Sequence, residues 1–225
     1  GVCYYYRADQ GKEAIAARMS NGLRKHLRWC RRQLEALGKV EFVCSRDPQL
    51  LVDLLDEFLS LEASGWKGAS GEATAIKLDP SLLQFYSGLL ARFANSGQCE
   101  INLLRLNDRA VAGKFCLISG GTWYQLKIAY DEAFDKYSPG SVLLEEVMGR
   151  LCKDESIQIA SFLTGASWAE RWHALEVGVY RVVAPNHTLA GRIALQKIKL
   201  RRVVRERLVP FVGSLKTKWR RSPNN

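Results

Sequence analysis

Between residues 100 and 130 the chain alternates in runs broken by Asn107-Asp108 and Gly120-Gly121. Such dipeptides reverse a chain within two residues, so residues 100–106, 110–119 and 122–130 predict three consecutive antiparallel strands. A meander of this kind must cover its apolar face with other elements. Helical candidates lie on both sides of it. Ile15, Met19, Leu23, Leu27, Cys30, Leu34 and Leu37 recur at steps of three or four, predicting one long helix that Gly38 ends. Residues 40–44 read as a short strand. Asp47-Pro48 and Asp79-Pro80 each open a helix, with Leu51, Leu54, Leu55, Phe58 and Leu59 as the buried stripe of the first. After the meander come a helix from about Gly140, a strand over 157–163, a short helix over 167–174, a strand over 177–183 and a basic helix over 189–208. The expected class is α+β or mixed α/β, with a central, mostly antiparallel sheet flanked by helices.

The 225 residues allow one large domain with a substantial core. No apolar run approaches the roughly 18–20 residues of a membrane helix. The opening Gly1-Val2-Cys3-Tyr4 has no initiator Met and no signal-peptide pattern, and reads as a fragment edge. Six cysteines lie far apart, none at metal-knuckle or redox-pair spacing, which points to reduced thiols and a cytoplasmic setting. Three histidines are poor material for a metal site, and none is expected.

Net charge is +10, and its distribution is uneven. Residues 192–221 carry eleven Lys or Arg against one acid, Glu206, while residues 18–32 carry six and no acid. Such blocks suit phosphate groups of RNA, a nucleotide cofactor or anionic lipid, and equally suit solvated helix faces.

Three segments carry chemistry. In LEASGWKG, residues 61–68, Glu62 continues the buried stripe of its helix. A carboxylate there must be paired or put to use as a proton acceptor. Trp66 and Lys67 follow on the glycine-rich loop, a position that suits covering an acceptor and, for Trp66, equally suits plugging the core. In LKIAYDE, residues 126–132, alternation puts Gln125, Lys127 and Ala129 on one face of the strand. Lys127 within a strand needs an anion, and Asp131 lies where the strand ends. In YSPGS, Tyr137, Ser138, Pro139, Gly140 and Ser141 lead into an apolar helix, a start whose free N–H groups suit phosphate oxygens.

Taken in this order, the Leu34-Glu35-x-x-Gly38 helix end, LEASGWKG, KIAYDE and YSPG resemble the CelD/BcsL-type acetyltransferases of the GNAT superfamily, a branch related to the Fem aminoacyltransferases. The resemblance spans about residues 20–175. It implies the GNAT fold, with splayed central strands that hold the thioester arm of acetyl-CoA or another acyl-CoA. It implies that residues 137–141 grip the pyrophosphate. The candidate catalytic groups are Glu62, Lys127 and Asp131, and the candidates to border the acceptor are Trp66, Lys67, Trp168 and Trp172. Full-length members of the branch usually carry a preceding GNAT-like half. The expected layout is therefore a basic remnant helix over 1–38, a core over 39–186 and a basic tail over 187–225.

The expected activity is transfer of an acyl group to a small-molecule or peptide amine by direct attack, with weak RNA contact through the tail. No Cys–His or Ser–His pair in the sequence suggests a covalent intermediate. Two further readings stand beside this one: an aminoacyl-tRNA-dependent transferase of the Fem kind, and a degenerate GNAT domain that binds a partner. Ala166 and Ala169, where relatives often carry an acid and a lysine, favour the last.

Overall fold

The computed structural model describes residues 1–203, apart from 66, 69, 70, 181, 183 and 185–187. Residues from Gly1 to Val179 form one compact unit, and a second begins at Tyr180. In the second, the regular element among the described residues is α7 (Leu189–Val203). The predicted tail beyond residue 203 lies outside the described residues.

The first unit is built on a seven-stranded sheet. Its strands are β1 (Val2–Arg7), β2 (Val40–Ser45), β3 (Cys99–Leu106), β4 (Arg109–Ser119), β5 (Thr122–Tyr130), β6 (Ile159–Ser161) and β7 (Leu175–Gly178), in the order β2-β3-β4-β5-β6-β1-β7. Every neighbouring pair is antiparallel except β5 and β6, which run parallel. The meander is β3-β4-β5, with Asn107, Asp108, Gly120 and Gly121 in left-handed turn conformations. The parallel step needs a crossover, which α5 (Pro139–Leu151) provides.

Helices cover both faces. On one lie α2 (Asn21–Leu37) and α5, burying Leu27, Cys30 and Leu34 from the first and Val142, Leu143, Leu144, Val147, Met148 and Leu151 from the second. On the other lie α3 (Pro48–Ser64) and α4 (Pro80–Phe93), with Leu51, Leu54, Leu55, Phe58 and Leu59 packed near Tyr86 and Leu90. Each such side chain removed from water contributes about 1.5–3 kcal/mol. Asp47 and Asp79 cap α3 and α4 by accepting from Gln49 N–H and from Ser81 and Leu82 N–H, with proline at the first helical position. Close packing against α3 requires Gly113 on β4: a Cβ there would lie 2.8 Å from the Phe58 ring.

Several expectations change. The long N-terminal helix is two, α1 (Gly11–Arg18) and α2, because Met19 is extended and Ser20 caps α2 by accepting from Leu23 N–H. The apolar period runs through this break, so periodicity alone did not reveal it. Residues 1–38, read as an appended basic helix, also supply β1, which pairs with β6 and β7 inside the sheet. The strand expected over 157–163 is only β6, and the one over 177–183 is β7, shifted towards the N-terminus.

A bulge in β5 alters which side chains share a face. Phe115 pairs with Lys127 and Cys116 with Gln125, leaving Leu126 as the extra residue. Beyond it the alternation inverts. Gln125 therefore faces α5, while Lys127 faces α4, its ammonium 5.8 Å from the centre of the Tyr86 ring. Strict alternation had put the two together.

Candidate active site

The parallel pairing of β5 with β6 runs only from Thr122 opposite Ile159 to Tyr124 opposite Ser161. The rest of β5 continues to Tyr130, so its edge beyond Tyr124 faces an opening between diverging strands. Backbone groups of alternate residues point to the same edge of a strand. Asp131 N–H donates to Val111 C=O on β4, which leaves the Ile128 and Tyr130 backbone towards the opening. A cavity of about 220 Å³ occupies it. Its walls are Gly113 and Lys114 of β4, Ile128–Tyr130 of β5, Ser138–Ser141 and Leu144 at the start of α5, and Trp168 and Arg171 beyond β6.

The start of α5 is shaped by the residues before it. Asp131 accepts from Ala133 N–H and caps a short 3-10 turn over Glu132–Tyr137. Ser138 then takes a left-handed conformation, and Pro139 has no N–H to satisfy. The Ser141 and Val142 N–H groups bond back to Ser138 C=O. Gly140 is left with a first-turn N–H that has no intrahelical acceptor, at the positive end of the helix dipole. Nothing lies within 4 Å of where its Cβ would be. Tyr137 is half-buried, 6.2 Å from the Trp29 ring of α2, with Lys136 over its face. Four of the five predicted donor residues, Ser138–Ser141, therefore form a continuous lip of the cavity, with Tyr137 just before it on the chain.

The three predicted catalytic side chains separate. Glu62 is 2% exposed and accepts from Lys67 Nζ at 3.2 Å and from Ile76 N–H at 3.0 Å. Lys67 also donates to Ile128 C=O at 2.9 Å, which brings the pair to the open edge of β5 beside a second cavity of about 280 Å³. Asp131 is paired with Arg109 at 2.6 Å in addition to its capping role. Lys127 lies on the α4 face, away from the cavity behind α5. Of the acceptor candidates, Trp168 lines the opening and packs against Phe162, with ring centres 5.2 Å apart. Trp172 instead belongs to the core, its carbonyl accepting from the Tyr6 hydroxyl. Trp66 lies outside the described residues.

Sequence reasoning missed Lys114, Gln125 and Arg171. Lys114 carried the same signal as Lys127, a cation in an otherwise apolar strand, but only the pairing shows which lysine faces the cavity. It is 3% exposed and donates to Gln125 Oε1 at 2.8 Å. Burial pulls its ammonium pKa down to about 8.

A second missed network lies deeper on the same face. Glu100, fully buried, accepts from Arg46, Asn102, Trp123 and Arg150. Burial alone would push this carboxyl up, but Arg150, Asn102 and Arg46 hold it below its ordinary range. Arg150 is thus committed to the sheet. A larger cavity of about 520 Å³ lies on the flank of α5 near α2 and β2, and there Arg31 pairs with Glu145 and Glu146. It touches neither the open edge of β5 nor the free N–H of Gly140.

The fold also makes a contact absent from the sequence reading. His26 of α2 lies 3.4 Å from Ser138 Oγ and 3.4 Å from Cys30 Sγ. Burial raises the Cys30 thiol, and raises Cys99 to about 12 and Cys116 far above its usual range. These thiols are protonated near neutral pH, when a nucleophile would need the thiolate. Among the described residues, no group of three or more His, Cys, Asp or Glu side chains is placed to hold a metal ion, and no helix is long and apolar enough to cross a membrane.

Comparison with known proteins adds the family. A comparison with curated proteins finds no match. Among solved structures, the chain resembles the C-terminal domain of an Agrobacterium fabrum protein assigned as a lysylphosphatidylglycerol synthetase, with a TM-score of 0.50 and 11% identity over 78% of this chain and 57% of that one. It also aligns with L-PGS from Bacillus licheniformis, TM-score 0.42 and 14% identity over 74% and 47%. FemX aligns with a TM-score of 0.37 and 13% identity over 78% and 59%. The chain thus spans less than two thirds of the length of these structures, and at 11% identity the first is a likeness of fold. The profile of the family described as acetyltransferase (GNAT) domain matches residues 21–173, a stretch that runs from α2 past α6 (Ser167–Glu170) and includes the open edge and the start of α5. The chain belongs to the acetyltransferase (GNAT) domain family.

Proposed function

We propose that the chain transfers an acyl group from acyl-CoA to an amine by direct attack. The observation that carries this reading is the parting of β5 and β6 directly in front of the α5 N-terminus. A strand edge that no neighbouring strand covers suits the amide-bearing arm of the donor, and a helix start with a free N–H suits its phosphates. In this reading the pyrophosphate rests on Ser138–Ser141 with Arg171 alongside, and Tyr137 closes the lip. The thioester lies along Ile128 and Tyr130, whose backbone N–H groups stabilise the tetrahedral oxyanion. Glu62 accepts the proton of the attacking amine, with Lys67 beside it at the strand edge. We assign Asp131 to holding the loop and Lys127 to the far face, and Trp168 to the acceptor's side of the opening. The protonated thiols favour direct transfer over a cysteine intermediate.

A second reading, an aminoacyl-tRNA donor as in the Fem relatives, is favoured by one observation. The basic helix α2 presents exposed Lys25 and Arg28 on the element whose His26 touches Ser138. The degenerate-domain reading loses support at Ala169, which is fully buried, so packing explains its small size.

Calorimetric titration of the whole chain with CoA and acetyl-CoA tests the leading reading. Binding that weakens in Gly140→Val is expected. No heat and no thermal shift with either ligand at millimolar concentration overturns it.

A further inference from the structure

Lys114 is an unusual wall for a cavity. It stands opposite Ile128 on the α5 face of β4, buried, with its ammonium on Gln125 Oε1. An ammonium has three donors, and the amide oxygen takes one. Among the described residues no salt bridge involves it. Glu100, the buried carboxylate on the same face, already has two arginines, an asparagine and a tryptophan as donors. Asp135, at the cavity wall, faces Tyr130, whose hydroxyl is raised by burial and then by the Asp135 charge. Cys116, the neighbour on the same face of β4, is an uncharged thiol. A buried cation left with only a neutral partner costs stability. A side chain of methionine shape would fill the same space without that cost. The bulge at Leu126 is what turns Gln125 towards Lys114, so the pair depends on a feature of the strand that borders the thioester path.

We propose that Lys114 and Gln125 form a receptor for a carboxylate on the acyl chain of the donor, so that the chain selects dicarboxylic acyl thioesters such as succinyl-CoA over neutral ones of similar length. The inference rests on the acyl-CoA reading above. A carboxylate oxygen accepts from the Lys114 ammonium, and its second oxygen accepts from the Gln125 amide N–H. The transfer itself is unchanged: the amine nitrogen bonds to the thioester carbon, the C–S bond breaks, and CoA leaves as a thiol once it has gained the proton the amine loses. The distal carboxylate is neither consumed nor altered. Lys114 is thus a specificity-determining residue.

The test is isothermal titration of the whole chain with free CoA, butyryl-CoA and succinyl-CoA, with no acceptor present. Omitting the acceptor leaves the donor as the one source of a carboxylate. The wild type is expected to bind succinyl-CoA about tenfold more tightly than butyryl-CoA, the factor that one charge-assisted hydrogen bond supplies. Lys114→Met should reduce that ratio to about one or invert it. Gln125→Glu keeps the size of the side chain and gives Lys114 an internal anion, and it should remove the preference too, which keeps the test open if Lys114→Met fails to fold. Equal affinity for the two thioesters in the wild type, or a preference that survives in both variants, overturns the proposal while leaving the acyl-CoA reading standing. Failure of free CoA and both thioesters to bind overturns the two together.

Discussion

Lys67 joins Glu62 to Ile128: its ammonium is 3.2 Å from the Glu62 carboxylate and 2.9 Å from the Ile128 carbonyl. The glycine-rich loop is thereby tied to the open edge of β5, and a buried acid is held beside the path proposed for the thioester. If Glu62 accepts the amine proton, Glu62→Gln should lower kcat by about 10²–10⁴-fold with little change in donor affinity. The amide oxygen can still accept from Ile76 N–H, so the fold should survive. Steady-state kinetics alongside a thermal melt separate the cases. Parallel loss of stability and activity, with residual activity tracking the folded fraction, would leave Glu62 a purely structural role.

The start of α5 is testable without an acceptor. Gly140 lies in open space, and helix propensity ranks valine slightly above glycine, so Gly140→Val should keep the fold. A β-branched side chain there would block approach to the Gly140 N–H. CoA affinity should fall by about tenfold or more, the scale of one charge-assisted hydrogen bond. Unchanged CoA affinity would move the phosphate site elsewhere.

Gly113 makes the opposite prediction. Its Cβ position lies 2.8 Å from a Phe58 ring carbon and 3.0 Å from Leu103. Gly113→Ala should destabilise the chain by about 1–3 kcal/mol through overpacking. Chemical denaturation would read this as a lower midpoint with the slope unchanged. Truncating Phe58 in the same background should return part of the loss, because the two substitutions share one contact.

Burial of Lys114 should appear in the dependence of stability on pH. Its pKa is about 8 in the folded chain and about 10.4 unfolded. Between those values the unfolded state binds more protons, so this group makes stability rise with pH. Below about pH 8 the folded state bears the full cost of the buried ammonium, on the order of 3 kcal/mol. Lys114→Met should therefore be more stable than wild type at pH 7. A gain of about 1–2 kcal/mol is expected once the lost bond to Gln125 is deducted. The gap should close as pH rises towards 10. A Met variant that is less stable at pH 7, with a gap independent of pH, would contradict this account.

The basic tail separates the two donor readings. Arg205 and Arg207 lie outside the described residues, so this prediction rests on charge alone. Transfer RNA should bind weakly and without preference for sequence, and be released by roughly 200 mM salt, because each phosphate neutralised releases counterions. Retention of one charged tRNA above that salt would favour the aminoacyl-tRNA donor.

Much of this fold is written in local pattern. Strand and helix periods, two Asp-Pro caps and two hairpin dipeptides are short-range signals, and the meander, α3, α4 and α5 appear where those signals lie. The loop over 137–141 was legible for the same reason, since a Ser-Pro-Gly helix start is a local event. The break at Met19–Ser20 was not, because an apolar period can run through a cap without changing.

What the sequence by itself determined is the class of the fold, its membership through LEASGWKG, KIAYDE and YSPG, and the lip on which the donor's phosphates are proposed to rest. Tertiary structure alone decided which lysine faces the cavity. One extra residue in β5, detectable only from its pairing with β4, inverts the alternation. That inversion sends Lys127 to Tyr86 and turns Gln125 towards Lys114, which lines the opening. The same holds for Glu62, whose burial the helical stripe foretold but whose partners, Lys67 and the Ile76 N–H, come from the connection between α3 and α4, which no period describes. Local propensity sets where elements begin and end, while the partners of a buried charge depend on which elements the chain brings together in space.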